Sequence, residues 1–265
     1  MPIDEPNAPS YFLRSGAHTF TPTHRTSGAW RETEQHFSPI GGLVVHAVEQ
    51  HLAARADDGL VMARITFDIL GVVALEEMEV NVATIRPGRT VELLEATVTS
   101  GGRVVVIGRI WRLAHLDTSS VAGGDVEPLP SPAGLKPWSM QPTWPGDYIA
   151  SLDVRTVRPP TEGRGTAWVS SPITLVDGEP SSALASYVGL VDTANGIAIR
   201  RSPREWMFPN LDLAIHLHRQ PEGAWVGLDT TVVFGPTGQG LTSTVLHDEL
   251  GPVGRAEQTL TIRPQ

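Results

Sequence analysis

Two runs of strand-forming residues, each split twice by glycine turns, restrict this chain more than any other feature. In the first, Met62–Leu70 and Glu77–Ile85 lead to the turn Arg86-Pro87-Gly88-Arg89, then Thr90–Thr99, the turn Gly101-Gly102 and Val104–Leu113. The second runs through Asp212–Gln220, Val226–Phe234, a turn around Gly238-Gln239-Gly240, Leu241–His247, a turn at Leu250-Gly251-Pro252, and Arg255–Ile262. Gly238 follows Gly88 by 150 residues, and Gly251 follows Gly101 by the same 150. Long strands joined by tight glycine turns form an antiparallel meander. A meander that recurs at a fixed offset marks a duplicated unit.

The break between the units is also visible. Pro128, Pro130, Pro132, Pro137, Pro142 and Pro145 crowd one short stretch with Gly134 and Gly146. Proline fixes φ and lacks a backbone donor, so this stretch belongs to no central strand or helix. The expected division is an N-terminal unit over 1–127, a linker over 128–146 and a C-terminal unit over 147–265. The length of 265 residues accommodates two ordinary domains. A 40% hydrophobic content supplies a core, while 26 glycines and 22 prolines favour strands and turns over a helical bundle.

Each meander is preceded by one helix candidate. Ser38-Pro39 reads as an N-cap and first-turn proline, followed by Val44, Ala47, Val48, His51 and Leu52 on one face. Its counterpart starts at Pro180-Ser181, with Leu184, Tyr187, Val188 and Val191 at the same spacing. Further strand candidates lie upstream, Phe12–Phe20 in one half and Ile149–Val157 with Thr166–Ile173 in the other. The expected fold class is α+β: a double hotdog, with two antiparallel sheets each wrapped around a central helix.

Four stretches carry a family resemblance. They are Pro39-Ile40-Gly41-Gly42, the run Leu190 to Gly196, the run Phe208-Pro209-Asn210-Leu211-Asp212-Leu213, and the C-terminal run Gly251 to Leu260. Together they resemble the thioesterase-like superfamily related to acyl-CoA thioesterase II. The resemblance implies a double-hotdog subunit that hydrolyses acyl-CoA without a covalent intermediate. It implies a site made of an Asp on the second helix, a Thr or Ser before the next strand and a Gln on the last strand. Carried over one residue at a time, these fall on Asp192, Asn210 and Gln258; Asn210 departs from the usual hydroxyl.

Physical chemistry suits that trio. A thioester carbonyl is already electrophilic, so water needs placement and a proton acceptor more than a stronger nucleophile. Asp192 at a helix end takes the proton if burial raises its pKa. Asn210 and Gln258 are expected to orient the water. Backbone donors near Gly41 and Gly42 are the expected oxyanion and substrate-binding contacts. At the offset of 150, Asn210 and Gln258 correspond to Leu60 and Gly108, so one active site per chain is expected.

Other classes fit less well. The absence of cysteine removes disulfides, thiolate metal sites and a cysteine nucleophile. His216 and His218 share a strand face but lack a third ligand at a convincing spacing, so neither a metal nor another cofactor is expected. There is no Gly-x-Ser-x-Gly elbow, phosphate loop or dinucleotide fingerprint. A net charge of −9 disfavours nucleic acid as a partner. No apolar run approaches the roughly 20 residues that span a bilayer, and Met1–Ser10 lacks the basic start and apolar run of a signal peptide, so a cytoplasmic location is expected. Exposed sheet edges invite pairing into a homo-oligomer. Arg200, Arg201 and Arg204 read as a contact for coenzyme A phosphates or as an ordinary solvated loop, and Trp206 and Phe208 as acyl-flanking or core. The alternative function is a non-catalytic acyl- or ligand-binding hotdog protein with a drifted site. A hydratase is the third reading; it needs an Asp–His pair that the helices do not supply.

Overall fold

The computed structural model describes residues 8–265, and Met1–Asn7 lie outside the described residues. The first half contributes β1 (Ser10–Arg14), β2 (Thr19–Pro22), α1 (Phe37–Ala53), β3 (Leu60–Ile69), β4 (Met78–Arg86), β5 (Val91–Ser100) and β6 (Arg103–Ala114). Then come the two-residue β7 (Lys136–Pro137), α2 (Asp147–Ala150), β8 (Asp153–Thr161), β9 (Arg164–Ser170), β10 (Thr174–Val176), α3 (Ala183–Val191) and α4 (Ala194–Ile197). The rest is β11 (Trp206–Met207), β12 (Asp212–Leu217), β13 (Val226–Phe234), β14 (Gln239–Asp248), β15 (Gly251–Thr261) and β16 (Arg263–Pro264).

The expected pair of sheets is one sheet. Fourteen strands run in the order β10-β1-β2-β4-β5-β6-β3-β12-β15-β14-β13-β9-β8-β7. The halves join where β3 and β12 pair antiparallel, with Asp212 opposite Asp68 and His216 opposite Arg64. Each of these strands would otherwise leave a row of unpaired backbone groups at an edge, and the seam satisfies both rows. Among the described residues, the one parallel pairing joins β1 to β10, with Ser10 opposite Thr174 and Phe12 opposite Val176. The expected single strand Thr166–Ile173 stops at Ser170 because Pro172 cannot donate to a ladder, and the chain crosses to the other half's edge.

Three strands of each half repeat at one corrected spacing. β4 and β13 begin at Met78 and Val226, β5 and β14 at Val91 and Gln239, and β6 and β15 at Arg103 and Gly251, each pair 148 residues apart. Even a bulge repeats, between Val98 and Thr99 on β5 and between Leu246 and His247 on β14. The offset of 150 misleads because Gly88 and Gly238 occupy different positions of two equally long turns, and only Gly238 has positive φ.

α1 lies against β4 and β5, α3 lies against β13, and the two helices pack on each other. They run antiparallel. Near one end Ser182 Oγ donates to Glu49 Oε1 at 2.7 Å, and near the other His36 meets Asp192. At the crossing, a Cβ on Gly42 would lie 2.8 Å from the Ala185 carbonyl oxygen and 3.0 Å from Gly189 Cα. Helix α1 starts earlier than expected. His36 is its N-cap, accepting from the Ser38 N–H through Nδ1 at 3.1 Å, which moves Pro39 deeper into the first turn. Ser182 caps α3 by accepting from the Ala185 N–H at 2.9 Å.

The proline-rich segment is strapped down. Pro130 O accepts from Trp168 Nε1 at 2.8 Å, the Trp138 N–H donates to Val154 O at 2.8 Å, and Met140 and Trp144 are buried. Among the described residues, no helix is long and apolar enough to cross a membrane.

Gly42→Ala tests the helix crossing. The two nearest atoms facing the new methyl are backbone and yield only if the helices separate, so stability should fall by about 1–3 kcal/mol. Gly123→Ala, which meets open space, should be neutral. Urea unfolding midpoints at constant m measure both; equal midpoints for the two variants would refute the close crossing.

Candidate active site

Where α3 ends, the chain leaves a carboxylate under cover. Asp192 is the C-cap residue of α3 and is 7% exposed. Its Oδ1 accepts two hydrogen bonds, from Asn210 Nδ2 at 2.8 Å and from Gln258 Nε2 at 2.7 Å. The sequence-expected trio thus comes together around one oxygen atom. Oδ2 faces the other way, 3.7 Å from Nδ1 of His36, which is too long for a hydrogen bond.

Each amide is held by local pairing. The Leu211 N–H donates to Thr259 O at 2.9 Å, the Thr261 N–H to Pro209 O at 3.0 Å, and Asn210 bridges to Leu260. This short ladder places Asn210 beside β15, on which Gln258 lies. Asn195 Nδ2 donates to Phe208 O at 3.1 Å, tying the end of the second helical region to the same loop. Asn210 donates twice, to Asp192 and to Asp212 O at 3.0 Å. The amides orient the carboxylate: both hydrogens of Asn210 Nδ2 and one of Gln258 Nε2 are spent in these bonds.

Burial is the main influence on the charge. It raises the Asp192 carboxyl to about 6, and the Asn210 and Gln258 bonds pull partly back. His36 is driven down to about 3 by burial alone. Tyr148 stacks on its ring at 4.2 Å between centroids and bonds Thr193 Oγ1 through its hydroxyl at 2.8 Å, fixing both neighbours of the carboxylate.

A cavity of about 640 Å³ opens onto this corner. Asp192, Asn210 and His36 line it, with Trp30 and Phe37 from the first half and Trp144 from the proline-rich strap. Gln258 is 1% exposed and stands behind Asp192 rather than in the wall. Gly41 and Gly42 are elsewhere. A Cβ on Gly41 would meet Phe37, Val188 and Phe67, and Gly42 abuts α3, so both serve helix packing in the second turn, where amides belong to the helix ladder. Neither glycine is among the residues that line the cavity.

Phe208 is buried, edge-on to Trp30 at 5.0 Å and to Trp144 at 5.8 Å. Arg201 pairs with Glu162, and Arg204 reaches Pro142 O at 3.5 Å. At the strand spacing of 148, Asn210 and Gln258 correspond to Met62 and Ile110, both buried and apolar, and the matching stretch of α1 around Val44 and Val45 is buried and apolar too. Met62 and Ile110 replace Leu60 and Gly108 as the equivalents. Among the described residues, no group of three or more His, Asp or Glu side chains gathers as a metal site. The sequence reading missed His36, Trp30 and Trp144. The signal for His36 was its place two residues before Ser38-Pro39; nothing local marked the tryptophans.

Comparison with known proteins falls on the same ground. Residues 26–113 match the family described as the acyl-CoA thioesterase N-terminal domain, and residues 125–262 match the acyl-CoA thioesterase C-terminal domain. The fold is similar to that of a conserved hotdog-fold protein of unknown function from Alicyclobacillus acidocaldarius, at TM-score 0.75, 12% identity and 95% coverage of both chains. It is similar to a tesB protein of Mycobacterium avium subsp. paratuberculosis, at TM-score 0.67, 14% identity and 96% coverage of both chains. It is also similar to the acyl-CoA thioesterase II TesB2 of Mycobacterium marinum, at TM-score 0.66 and 15% identity, covering 96% of this chain and 95% of that one. No curated protein sequence matches the chain.

Gln258→Leu tests what holds the charge on Asp192. Losing a donor to the ionised form should raise its titration midpoint further above 6, by about one to two units. Carboxyl ¹³C NMR against pH reads this directly; an unchanged midpoint would mean that Gln258 does not support the charge.

Proposed function

The chain belongs to the acyl-CoA thioesterase family, and on that premise we propose that it hydrolyses acyl-CoA by attack of a water that Asp192 deprotonates. The observation that carries this reading is the divided carboxylate. One oxygen is saturated by Asn210 and Gln258, while the other is turned towards a largely apolar cavity with a pKa lifted to about 6. A base whose pKa lies just under neutrality is ionised at neutral pH yet basic enough to accept a proton.

The steps balance with no other reagent. The water oxygen bonds to the thioester carbonyl carbon as its proton moves to Asp192 Oδ2. The tetrahedral oxyanion then collapses, the carbon–sulfur bond breaks, and the proton returns from Asp192 to the departing coenzyme A sulfur. The products are the carboxylic acid and free thiol. Asp192 and Asn210 meet the substrate in the cavity, and Gln258 acts through Asp192 as a positioning residue. The tryptophan-lined part of the cavity takes the acyl group, where apolar burial supplies binding.

Asp192→Asn should reduce thiol release from a panel of acyl-CoAs by about a hundredfold or more at saturating substrate, with binding retained. Parental turnover in this variant would reject the mechanism. Measurable binding with no turnover in the parent would instead favour the non-catalytic binding protein. In the parent, kcat should fall on acidification with a midpoint near pH 6, as the base is protonated. Stability should behave oppositely. A carboxyl whose folded pKa is raised costs stability once pH exceeds its unfolded value near 4 and costs its full amount above 6. Asp192→Asn should therefore be at least as stable as the parent at pH 8, with that advantage shrinking between pH 6 and 4.

A further inference from the structure

With Gly41 and Gly42 packed between helices, the oxyanion of a thioester needs another donor, and one side chain in the cavity wall has the required form. We infer that the Nε2–H of His36 donates a hydrogen bond to the thioester carbonyl oxygen and to the oxyanion it becomes. The inference rests on the hydrolytic reading of the same site.

Four observations fix the imidazole. Its Nδ1 accepts from the Ser38 N–H at 3.1 Å, so that nitrogen carries a lone pair and the ring proton belongs on Nε2. The tautomer is therefore set by the backbone at the start of α1. Tyr148 covers one ring face at 4.2 Å and holds the ring's plane. Nδ1 is spent on the helix, and its opposite nitrogen diverges from the helix; among the described residues Nε2 has no hydrogen-bond partner, although the side chain lines the cavity. Finally, Asp192 Oδ2 lies 3.7 Å from Nδ1. Carboxylate and ring are thus neighbours in one cavity wall, and a thioester carbonyl oxygen that reaches Nε2 would present its carbon to a water held by Asp192.

The same tautomer removes His36 as a base for hydration of an enoyl thioester. A histidine acting as base there would take a proton from water through a free lone pair. Here the Nδ1 lone pair is used by Ser38 and the other nitrogen already carries a hydrogen. Burial keeps the ring neutral, so it donates without adding a positive charge that would capture the Asp192 carboxylate. A preorganised donor in a dry site acts where charge develops, and removing one typically costs about a hundredfold to a thousandfold in kcat.

Two variants separate this role from the helix cap. Asn in place of His36 puts its carbonyl oxygen where Nδ1 was, keeping the cap, but is too short to reach the substrate. Gln reaches the Nε2 position with its amide and gives up the cap. His36→Asn should retain the parental melting temperature and acyl-CoA affinity while kcat drops about a hundredfold. His36→Gln should melt lower and keep kcat within about tenfold of the parent. A direct reading comes from the carbonyl stretch of a ¹³C-labelled acyl-CoA bound to Asp192→Asn protein. The band should lie at lower frequency there than in the Asp192→Asn/His36→Asn double variant. A folded His36→Asn protein with parental kcat, or an unmoved carbonyl band, overturns the assignment. Enoyl-CoA hydration by the parent that His36→Asn abolishes would also overturn it. Failure of Asp192→Asn to lose activity would instead defeat the hydrolytic reading itself.

Discussion

The contact on which the site depends is the antiparallel crossing of α1 and α3 at Gly42. Backbone there approaches backbone, leaving no space for a methyl group. That closeness brings the start of one helix against the end of the other, so that His36 and Asp192, 156 positions apart in the chain, become neighbours. The crossing also has an electrostatic consequence. The positive end of the α1 dipole lies beside a carboxylate that sits unfavourably at the C-terminus of α3. The single sheet supports this geometry from behind, because the β3–β12 seam fixes how the halves, and hence their helices, sit relative to one another. A bulky residue at Gly42 would thus disturb the site without touching it.

Asymmetry within the repeat follows from what burial costs. A second carboxylate at the matching stretch of α1 would need two amide donors at Met62 and Ile110, and the first half has apolar side chains at both and at Val44 and Val45. Holding Asp192 ionised when its pKa has moved from 3.8 to about 6 already costs about 3 kcal/mol at neutral pH. Folded domains have only about 5–15 kcal/mol to spare, so a position that holds no working carboxylate gains by being filled with hydrocarbon. The first half still shapes the cavity, through the loop holding Trp30 and the helix start at His36 and Phe37.

The meanders were legible because strands announce themselves locally. Val226–Phe234 is matched residue for residue by β13, and Met62–Leu70 differs from β3 only at its ends. The joining of both meanders into one sheet was not legible, since edge pairing between β3 and β12 depends on long-range placement that periodicity does not encode. The repeat offset failed for a local reason: turn glycines tolerate displacement within a turn, whereas strand register does not. At the site, Asp192, Asn210 and Gln258 were found through resemblance and then met in space. Their division of labour was hidden, because it depends on which oxygen each amide reaches. His36 was hidden differently. A histidine serving as an N-cap lies outside the usual Ser, Thr, Asp and Asn preference, and Ser38 offered the more familiar start.

The opposed titrations of Asp192 and His36 form one device. Were His36 protonated at neutral pH, it would face the free Asp192 oxygen as a cation at 3.7 Å and convert a base into half of an ion pair. Its lone pair would also be gone, leaving the Ser38 N–H without an acceptor. Burial pushes the histidine to about 3 and the carboxyl to about 6, so above pH 6 the corner holds one anion and one neutral donor. The arrangement has a cost on the acid side. A histidine with a folded pKa below its unfolded value near 6.5 loses stability as pH falls through that window, because only the unfolded chain binds the proton. Over the range between pH 6 and 4, Asp192 takes up a proton more readily folded than unfolded and offsets part of that loss. Asn210 fits the same logic. A lone hydroxyl has one proton to donate, whereas the Asn210 amide donates to both Asp192 and the Asp212 carbonyl, holding the carboxylate and the entry to β12 together with one side chain.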